Sequence, residues 1–446
     1  MKINHWKLCE MTAREKDLIV KRSETDIQSV TAAVASIIDD VKNRGDEALR
    51  FYGKKFDGVI IDGDLQASEA DFEKAYRDLD PAVTKAIRQC AANVRTHHEQ
   101  QLRRVEWQWI EEIKPGVFAG EKITPIPSVG LYVPRGKGAF PSVMYMLCTP
   151  AVIAGVKRIA VCTPPSPTGD IDAASLVAAD ICGVKTVYKS GGAQAIAAFA
   201  YGTETIPKVS QISGPGNPYV AAAKRLLAHM VNPGMPAGPS EAIILADQTA
   251  DPWNTVLDLI NEAEHGPDSA SLLVTTSQEL ADNVIGLLPK AVSTLPQQRK
   301  EYCEAVFAQY GGVIVCESLG EAVDFCNEYA AEHLLLKVEQ VDEVLAALDN
   351  CGEMLIGEST PIVLANFGIG TNAVLPTGRH ALTHDCTSVW TFLKRTSLAY
   401  VTRAGYGDLK ESVATLADYE GFAGHREVLK QRNEKAFSDI NLMTTF

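Results

Sequence analysis

Val129-Gly130-Leu131-Tyr132-Val133 is a short, wholly apolar run closed by Pro134, and runs of the same kind recur down the chain. Arg158-Ile159-Ala160-Val161-Cys162, Thr186-Val187-Tyr188 and a stretch near 208–212 read as further strands. The spacing predicts helices near 144–156, 173–181, 194–200 and 219–229 among them. A second series opens at Ala242-Ile243-Ile244-Leu245-Ala246. It continues through Ser271-Leu272-Leu273-Val274-Thr275, Val313-Ile314-Val315 and Leu334-Leu335-Leu336, again with helices between. Buried apolar strands alternating with helices imply βαβ units and mostly parallel sheets. The class is α/β, in two lobes that divide near Ser240.

Outward from this core, the N-terminal third reads as helical. Residues 26–41 carry apolar side chains at helical spacing, and Ser68-Glu69-Ala70-Asp71 has the form of a capping box. Asp80-Pro81 places an N-cap before a proline at the first helical position, opening a helix expected to run to about 102. Val105-Glu106-Trp107-Gln108-Trp109-Ile110 alternates and reads as a strand. From about Asp408 the chain reads as one or two polar amphipathic helices and a tail. Thr163-Pro164-Pro165-Ser166-Pro167-Thr168-Gly169 fits a surface loop.

The chain has 446 residues and a formal net charge of −14, which argues against a nucleic-acid surface. No apolar run approaches the ~18 residues of a membrane span. Met1-Lys2-Ile3-Asn4-His5-Trp6-Lys7 lacks a signal-peptide core, and the ten cysteines form no Cys-x-x-Cys pair. Reduced thiols and a cytoplasmic location are expected.

Several segments could carry chemistry. In Glu262-Ala263-Glu264-His265-Gly266-Pro267-Asp268-Ser269 a carboxylate and an imidazole stand three apart at a helix end. That spacing puts them on one face, able to share a divalent ion or simply to end a solvated helix. Arg135-Gly136-Lys137-Gly138, Ser190-Gly191-Gly192-Ala193-Gln194 and Ser213-Gly214-Pro215-Gly216-Asn217-Pro218 are glycine-rich turns after strands, suited to a nucleotide or anion. Gly368-Ile369-Gly370-Thr371-Asn372-Ala373 matches a dinucleotide fingerprint by letter only, because Pro376 forbids the helix it needs. Glu332-His333 joins a helix to an apolar strand and could share proton transfer. Asn366, Asn372 and His425, taken singly, read as turn or surface residues.

Together these segments resemble the histidinol dehydrogenase family. The resemblance runs collinearly through Gly130-Leu131-Tyr132-Val133-Pro134, 191–197, Gly214-Pro215-Gly216-Asn217, 235–241, 263–269 and Ala331-Glu332-His333-Leu334. It continues through Gly370-Thr371-Asn372, Val374-Leu375-Pro376-Thr377 and Glu420-Gly421 with His425. It implies a homodimer in which the C-terminal segment of one subunit completes the partner's site. It also implies one Zn2+ and two molecules of NAD, used to oxidise a primary alcohol through the aldehyde to a carboxylate. By motif, Tyr132, Gln194 and Asn217 would contact NAD, and Ser240 would contact substrate. His265 and His425 would bind zinc, Glu332 and His333 would form the acid–base pair, and Glu420 would reach substrate across the dimer.

The chain departs from that pattern at four places. Glu262 stands where the family has Gln, and Asn366 where it has Asp, so the set Glu262, His265, Asn366, His425 keeps one carboxylate. These four ligands also touch substrate in the implied scheme, as His333 does. Ala373 replaces a His and Arg135 replaces a Gly. Arg135, with Arg379 farther on, could bind an anionic substrate group or a cofactor phosphate.

The expected fold is therefore two incomplete Rossmann-like lobes with N- and C-terminal helical segments. Residues 1–26 form an N-terminal segment. Residues 27–131 with 242–387 form a first lobe with the metal and catalytic residues, 132–241 a second lobe on the NAD side, and 388–446 a dimerisation segment. The expected activity is a zinc- and NAD-dependent oxidation of a small polar primary alcohol, such as the anionic diol dihydroxypropanesulfonate. Histidinol is the alternative substrate, and a non-catalytic NAD- or metal-binding homologue is the alternative role.

Overall fold

The structure, a computed structural model, describes residues 1–21, 26–135 and 138–440. Among these the chain divides into two compact units, 1–102 with 126–392, and 103–125 with 393–446.

The first unit is built on two parallel sheets. The smaller has the order β6-β5-β4-β7, from β4 (Ser128–Tyr132), β5 (Arg158–Thr163), β6 (Val187–Lys189) and β7 (Gln211–Ser213). The larger has the order β1-β10-β9-β8-β11-β12. Its strands are β1 (His5–Lys7), β8 (Glu241–Ala246), β9 (Ala270–Thr275), β10 (Gly312–Val315), β11 (His333–Lys337) and β12 (Glu353–Ile356).

Helices cover both sheets, as parallel strands require. The smaller sheet is packed by α2 (Asp26–Arg44), α3 (Asp46–Tyr52), α4 (Glu69–Asp78), α5 (Pro81–Leu102), α6 (Pro141–Ile153), α7 (Ala173–Ile181), α8 (Gly192–Tyr201) and α9 (Pro218–Leu226). The expected grouping of residues 27–131 with the larger sheet is thus not the packing observed. Val34, Ile38 and Leu49 share a core with Ala160, Ile196 and Val220, and β4 lies whole in the smaller sheet.

The larger sheet shows the two-residue period of a strand buried on both faces. Ile244, Leu273, Val313, Leu335 and Leu355 point one way, into a core shared with α10 (Pro252–Ala263), α11 (Gln278–Ser293), α12 (Gln297–Ala308) and α15 (Ile362–Phe367). Ile243, Leu245, Leu272, Ile314 and Leu336 point the other way, against α1 (Ala13–Val20), α13 (Leu319–Tyr329) and α14 (Val341–Ala347). Each fully buried side chain of this size stabilises the fold by about 1.5–3 kcal/mol. Asn372 ties the loop after α15 to α6, because its Nδ2 donates to the Met146 carbonyl (2.6 Å), while its Oδ1 accepts from the Val374 amide of the same loop. This residue is 4% exposed, so it is a buried tie and not a surface turn residue.

The second unit is an antiparallel sheet of order β13-β3-β2, from β2 (Gln108–Lys114), β3 (Val117–Pro125) and β13 (Leu393–Val401), with α16 (Arg403–Tyr419) and α17 (Ala423–Gln431). The Trp-rich strand begins at Gln108, three residues later than its alternation suggests. The capping box at Ser68 is present, with Asp71 accepting from the Ser68 amide and Ser68 from the Asp71 amide. Among the described residues, no helix is long and apolar enough to cross a membrane.

Candidate active site

The catalytic candidates meet at the N-terminal edge of the larger sheet. Helix α13 stops because Ala330 turns into the left-handed region (φ 52), its amide bonded to the Cys326 carbonyl. Few non-glycine residues adopt that conformation, and here it sends Ala331 and Glu332 directly into β11. His333 opens β11, in register with Ala242 of β8 on one side and Glu353 of β12 on the other.

Glu332 Oε2 accepts from the Glu241 amide (3.0 Å), and its carbonyl accepts from the Glu353 amide (2.9 Å). His333 Nδ1 lies 3.1 Å from Glu353 Oε2. Glu241 Oε1 in turn accepts from the Gly378 amide (3.0 Å). All four residues are at least nine-tenths buried. Gly352 permits the approach of β12, since a Cβ there would come within 2.6 Å of the Glu332 carbonyl oxygen.

Burial sets the proton affinities of this cluster. It pushes the Glu332 carboxyl up to about 8, with Glu262 adding to the rise and the charge of His333 opposing it. Burial pulls the His333 imidazole down, but the hydrogen bond to Glu353 and the charges of Glu332, Glu262 and Glu353 outweigh it, leaving the group at about 9. A buried acid and imidazole shifted together in this way have the character of proton-transfer groups.

His333, Leu335 and Lys337 share one face of β11, the face covered by α10. At the far end Lys337 is a buried ion pair with Asp258 Oδ2 (2.7 Å) and Glu358 Oε2 (3.0 Å). Asp258 and Glu262 are one helical repeat apart, so this pair holds α10 in register with β11 and brings Glu262 toward Glu332 and His333. Glu262 Oε1 lies 3.6 Å from His265 Nδ1, and the His265 amide donates to the Glu262 carbonyl (3.2 Å).

Glu262 Oε2 is buried with no protein partner. An orphaned buried carboxylate oxygen is costly, and it fits a cation. Asn366 lies at the end of α15, whose Ile362 and Ala365 pack into the α10 core, so three of the four expected metal residues occupy packed neighbours. Among the described residues no ready-made group of three or more His, Cys, Asp and Glu stands assembled for a metal. The fourth, His425, heads α17 in the second unit and is exposed, as is Glu420 at the end of α16. Ser240 precedes β8, its carbonyl accepting from the Ala270 amide (2.9 Å), next to Glu241.

The cofactor candidates lie at the opposite kind of edge, past the C-terminal ends of strands in the smaller sheet. Tyr132 is buried, and its hydroxyl accepts from the Gly192 amide (3.0 Å). Burial pushes the phenol well above its ordinary range. Ser190 Oγ and Gln194 Oε1 in the next turn are buried without partners, which suits a polar ligand such as NAD. Gly192 has φ +64, and a Cβ there would meet Gln194 Oε1 at 2.7 Å. Asn217 caps α9 by accepting from the Val220 amide (3.1 Å). Lys224, unremarked in the sequence, is buried and donates to the carbonyls of Gly214 (3.1 Å) and Met235 (3.4 Å), tying two loops; burial pulls its amine down to about 8.

Arg135 ends the β4 turn close enough to Asp57 to restrain its carboxyl, which burial nonetheless raises to about 6. Gly136 and Lys137 of this turn lie outside the described residues. Arg379 donates its Nε to the Glu328 carbonyl (3.2 Å).

Glu353, like Lys224, is a residue of these sites that the sequence does not single out. Its one signal is an acidic side chain heading the apolar run Met354-Leu355-Ile356, a charge where a buried strand begins.

A model of the histidinol dehydrogenase family matches residues 20–433. The chain is 47% identical to a histidinol dehydrogenase of Synechocystis over 96% of its own length and 98% of that protein's. It is equally 47% identical to a histidinol dehydrogenase homolog of Cereibacter sphaeroides, over 95% and 97%. The crystal structure of histidinol dehydrogenase from Elizabethkingia anophelis superposes with a TM-score of 0.90 at 31% identity, covering 96% of this chain and 97% of that one.

Proposed function

The chain belongs to the histidinol dehydrogenase family, and on that premise we propose that it is a zinc- and NAD-dependent dehydrogenase taking a small polar primary alcohol through the aldehyde to a carboxylate. The observation that carries this is the buried Glu332–His333 pair beside Glu262, whose Oε2 has no protein partner. Glu262, His265 and Asn366 would hold the metal, with His425 from a C-terminal segment, in a homodimer whose second copy also supplies Glu420. Zinc would supply Lewis acidity and a fixed point for a substrate oxygen or amine. NAD, held by Tyr132, Gln194 and Asn217, would supply the hydride acceptor.

The chain's own groups do the rest. His333, when neutral, takes the alcohol proton as the carbinol hydrogen leaves as hydride. Glu332, ionised, draws a proton from water that adds to the aldehyde, and the hydrate loses the second hydride. Ser240, beside Glu241, orients the substrate. The ten free thiols support a cytoplasmic location.

The reciprocal Glu262/Asn366 exchange and Ala373 support a substrate other than histidinol, the anionic diol dihydroxypropanesulfonate being one form. Arg135 would serve that anion only in competition with Asp57. That competition favours, as a second reading, histidinol itself. Efficiency on the two alcohols, in wild type and Arg135→Gly, separates them. A sulfonate preference lost in the variant supports the first, and efficient histidinol oxidation unaffected by the change supports the second. No NADH from a broad alcohol panel with zinc present would overturn both.

A further inference from the structure

We propose that Glu353 is the positioning residue of His333: by accepting the Nδ1 proton it fixes the imidazole so that Nε2 is the nitrogen turned to the reacting atoms. This rests on the reading of His333 as the acid–base group, and the geometry for it is specific. His333 and Glu353 are the first residues of adjacent parallel strands and are paired in register. Paired residues project to the same face, so the two side chains rise together toward α10. The neighbour of His333 on the other strand is Ala242, whose methyl offers no competing acceptor.

Glu353 is tied to the catalytic dipeptide twice. Its amide donates to the Glu332 carbonyl (2.9 Å) and its Oε2 stands 3.1 Å from His333 Nδ1. A shift of β12 would therefore disturb both catalytic residues at once. His333 is 3% exposed and Glu353 8%, so water does not replace the carboxylate readily. Glu353 Oε1 is buried without another protein partner, which leaves the imidazole as the side-chain contact through which this carboxylate acts. A carboxylate on one imidazole nitrogen is the arrangement by which proteins select a histidine tautomer and direct the other nitrogen to its task.

The test uses the full chain grown with isotope-labelled histidine, the His333 signals being identified by their loss in His333→Gln. Wild type is expected to show a downfield, slowly exchanging Nδ1–H resonance for His333. Glu353→Gln, which keeps an acceptor of the same length, should retain it, and Glu353→Ala should lose it. In parallel, Glu353→Ala should lower kcat roughly ten- to hundredfold with KM for NAD unchanged, and Glu353→Gln should recover a good part of that loss. A purely structural role would lower the melting temperature without this split.

Persistence of the resonance in Glu353→Ala, or protonation confined to Nε2 in wild type, overturns the proposal. So does loss of the resonance with kcat unchanged. If wild type shows the resonance, and Glu353→Ala removes it, while no alcohol is oxidised, the positioning stands and the proposed function falls.

Discussion

The two sheets of the first unit place their chemistry at opposite edges and by opposite means. In the smaller sheet the candidate cofactor residues follow the C-terminal ends of β4, β6 and β7, and the backbone dominates: Gly192 and Gly214 at positive φ, amides at helix starts, Tyr132 buried against Gly192. Ligands of open parallel sheets gather at that edge. In the larger sheet the catalytic candidates sit at the N-terminal edge, where β8, β11 and β12 begin, and charged side chains dominate. A backbone site tolerates changes of side chain but not of shape. A side-chain site tolerates small shape changes but not the loss of a proton donor or acceptor.

The largest losses are expected at the side-chain edge. Glu332→Gln or His333→Gln should lower kcat by roughly a hundredfold or more, with little change in KM for NAD. The Glu332 variant should suffer most in the aldehyde step. Steady-state kinetics with the alcohol and with the aldehyde checks this, and slight, equal losses in both would erase the distinction between the edges.

At the backbone edge the largest effect is expected at Gly214, where φ is +122 and a Cβ would lie 2.1 Å from the Tyr132 carbonyl oxygen. Gly214→Ala should destabilise the fold by on the order of 2 kcal/mol or more and weaken NAD binding. Urea unfolding and calorimetric titration with NAD read these separately. A variant with unchanged stability and affinity would mean that the turn has room the structure does not show.

The proposed metal residues would add a ligand to the side-chain edge alone. Glu262→Gln removes the remaining carboxylate from the proposed set and should lower zinc content at least tenfold at limiting metal. Adding Asn366→Asp should restore it. Elemental analysis of protein prepared without chelator decides, and full zinc in the single variant would remove Glu262 from the site.

Much of this was legible in the sequence. The inner strands of both sheets stand out as short apolar runs, and the cofactor edge as glycine-rich turns after them; β1, His5-Trp6-Lys7, carries no such signal. Asp80-Pro81 located the start of α5 because its signal is local. The side-chain edge was only half legible. Glu332 and His333 are adjacent, but Glu241, Glu262 and Glu353 reach them from segments far apart in sequence, through register between strands and not through spacing. β12 gives no strand signal because its four residues open on a carboxylate. Arg135 reads as a free guanidinium until Asp57, seventy-eight positions earlier, is seen beside it.

A further effect depends on pH and falls on stability alone. His98 is buried, with Nδ1 2.7 Å from the Val94 carbonyl and Nε2 3.4 Å from Asn372 Nδ2. Burial holds its imidazole neutral, down to about 4 from an ordinary 6.5. As pH falls from 6.5 to 4 the unfolded chain binds a proton that the folded chain refuses, so stability declines across that window and levels off below it. The loss attributable to His98 is on the order of 3 kcal/mol. Urea unfolding from pH 7 to 4 should show this decline, reduced in His98→Gln, and an identical slope in both proteins would contradict it.

We propose that the buried pair at the N-terminal edge of β11 drives both oxidations, a role that sets the number of hydrides removed per alcohol. It is tested most directly by counting NADH formed per alcohol consumed, in zinc-replete wild type and in Glu332→Gln. Two are expected in wild type with the carboxylate as product, and about one in the variant, with trapped aldehyde. One NADH and aldehyde from wild type, or two from the variant at an undiminished rate, would contradict it.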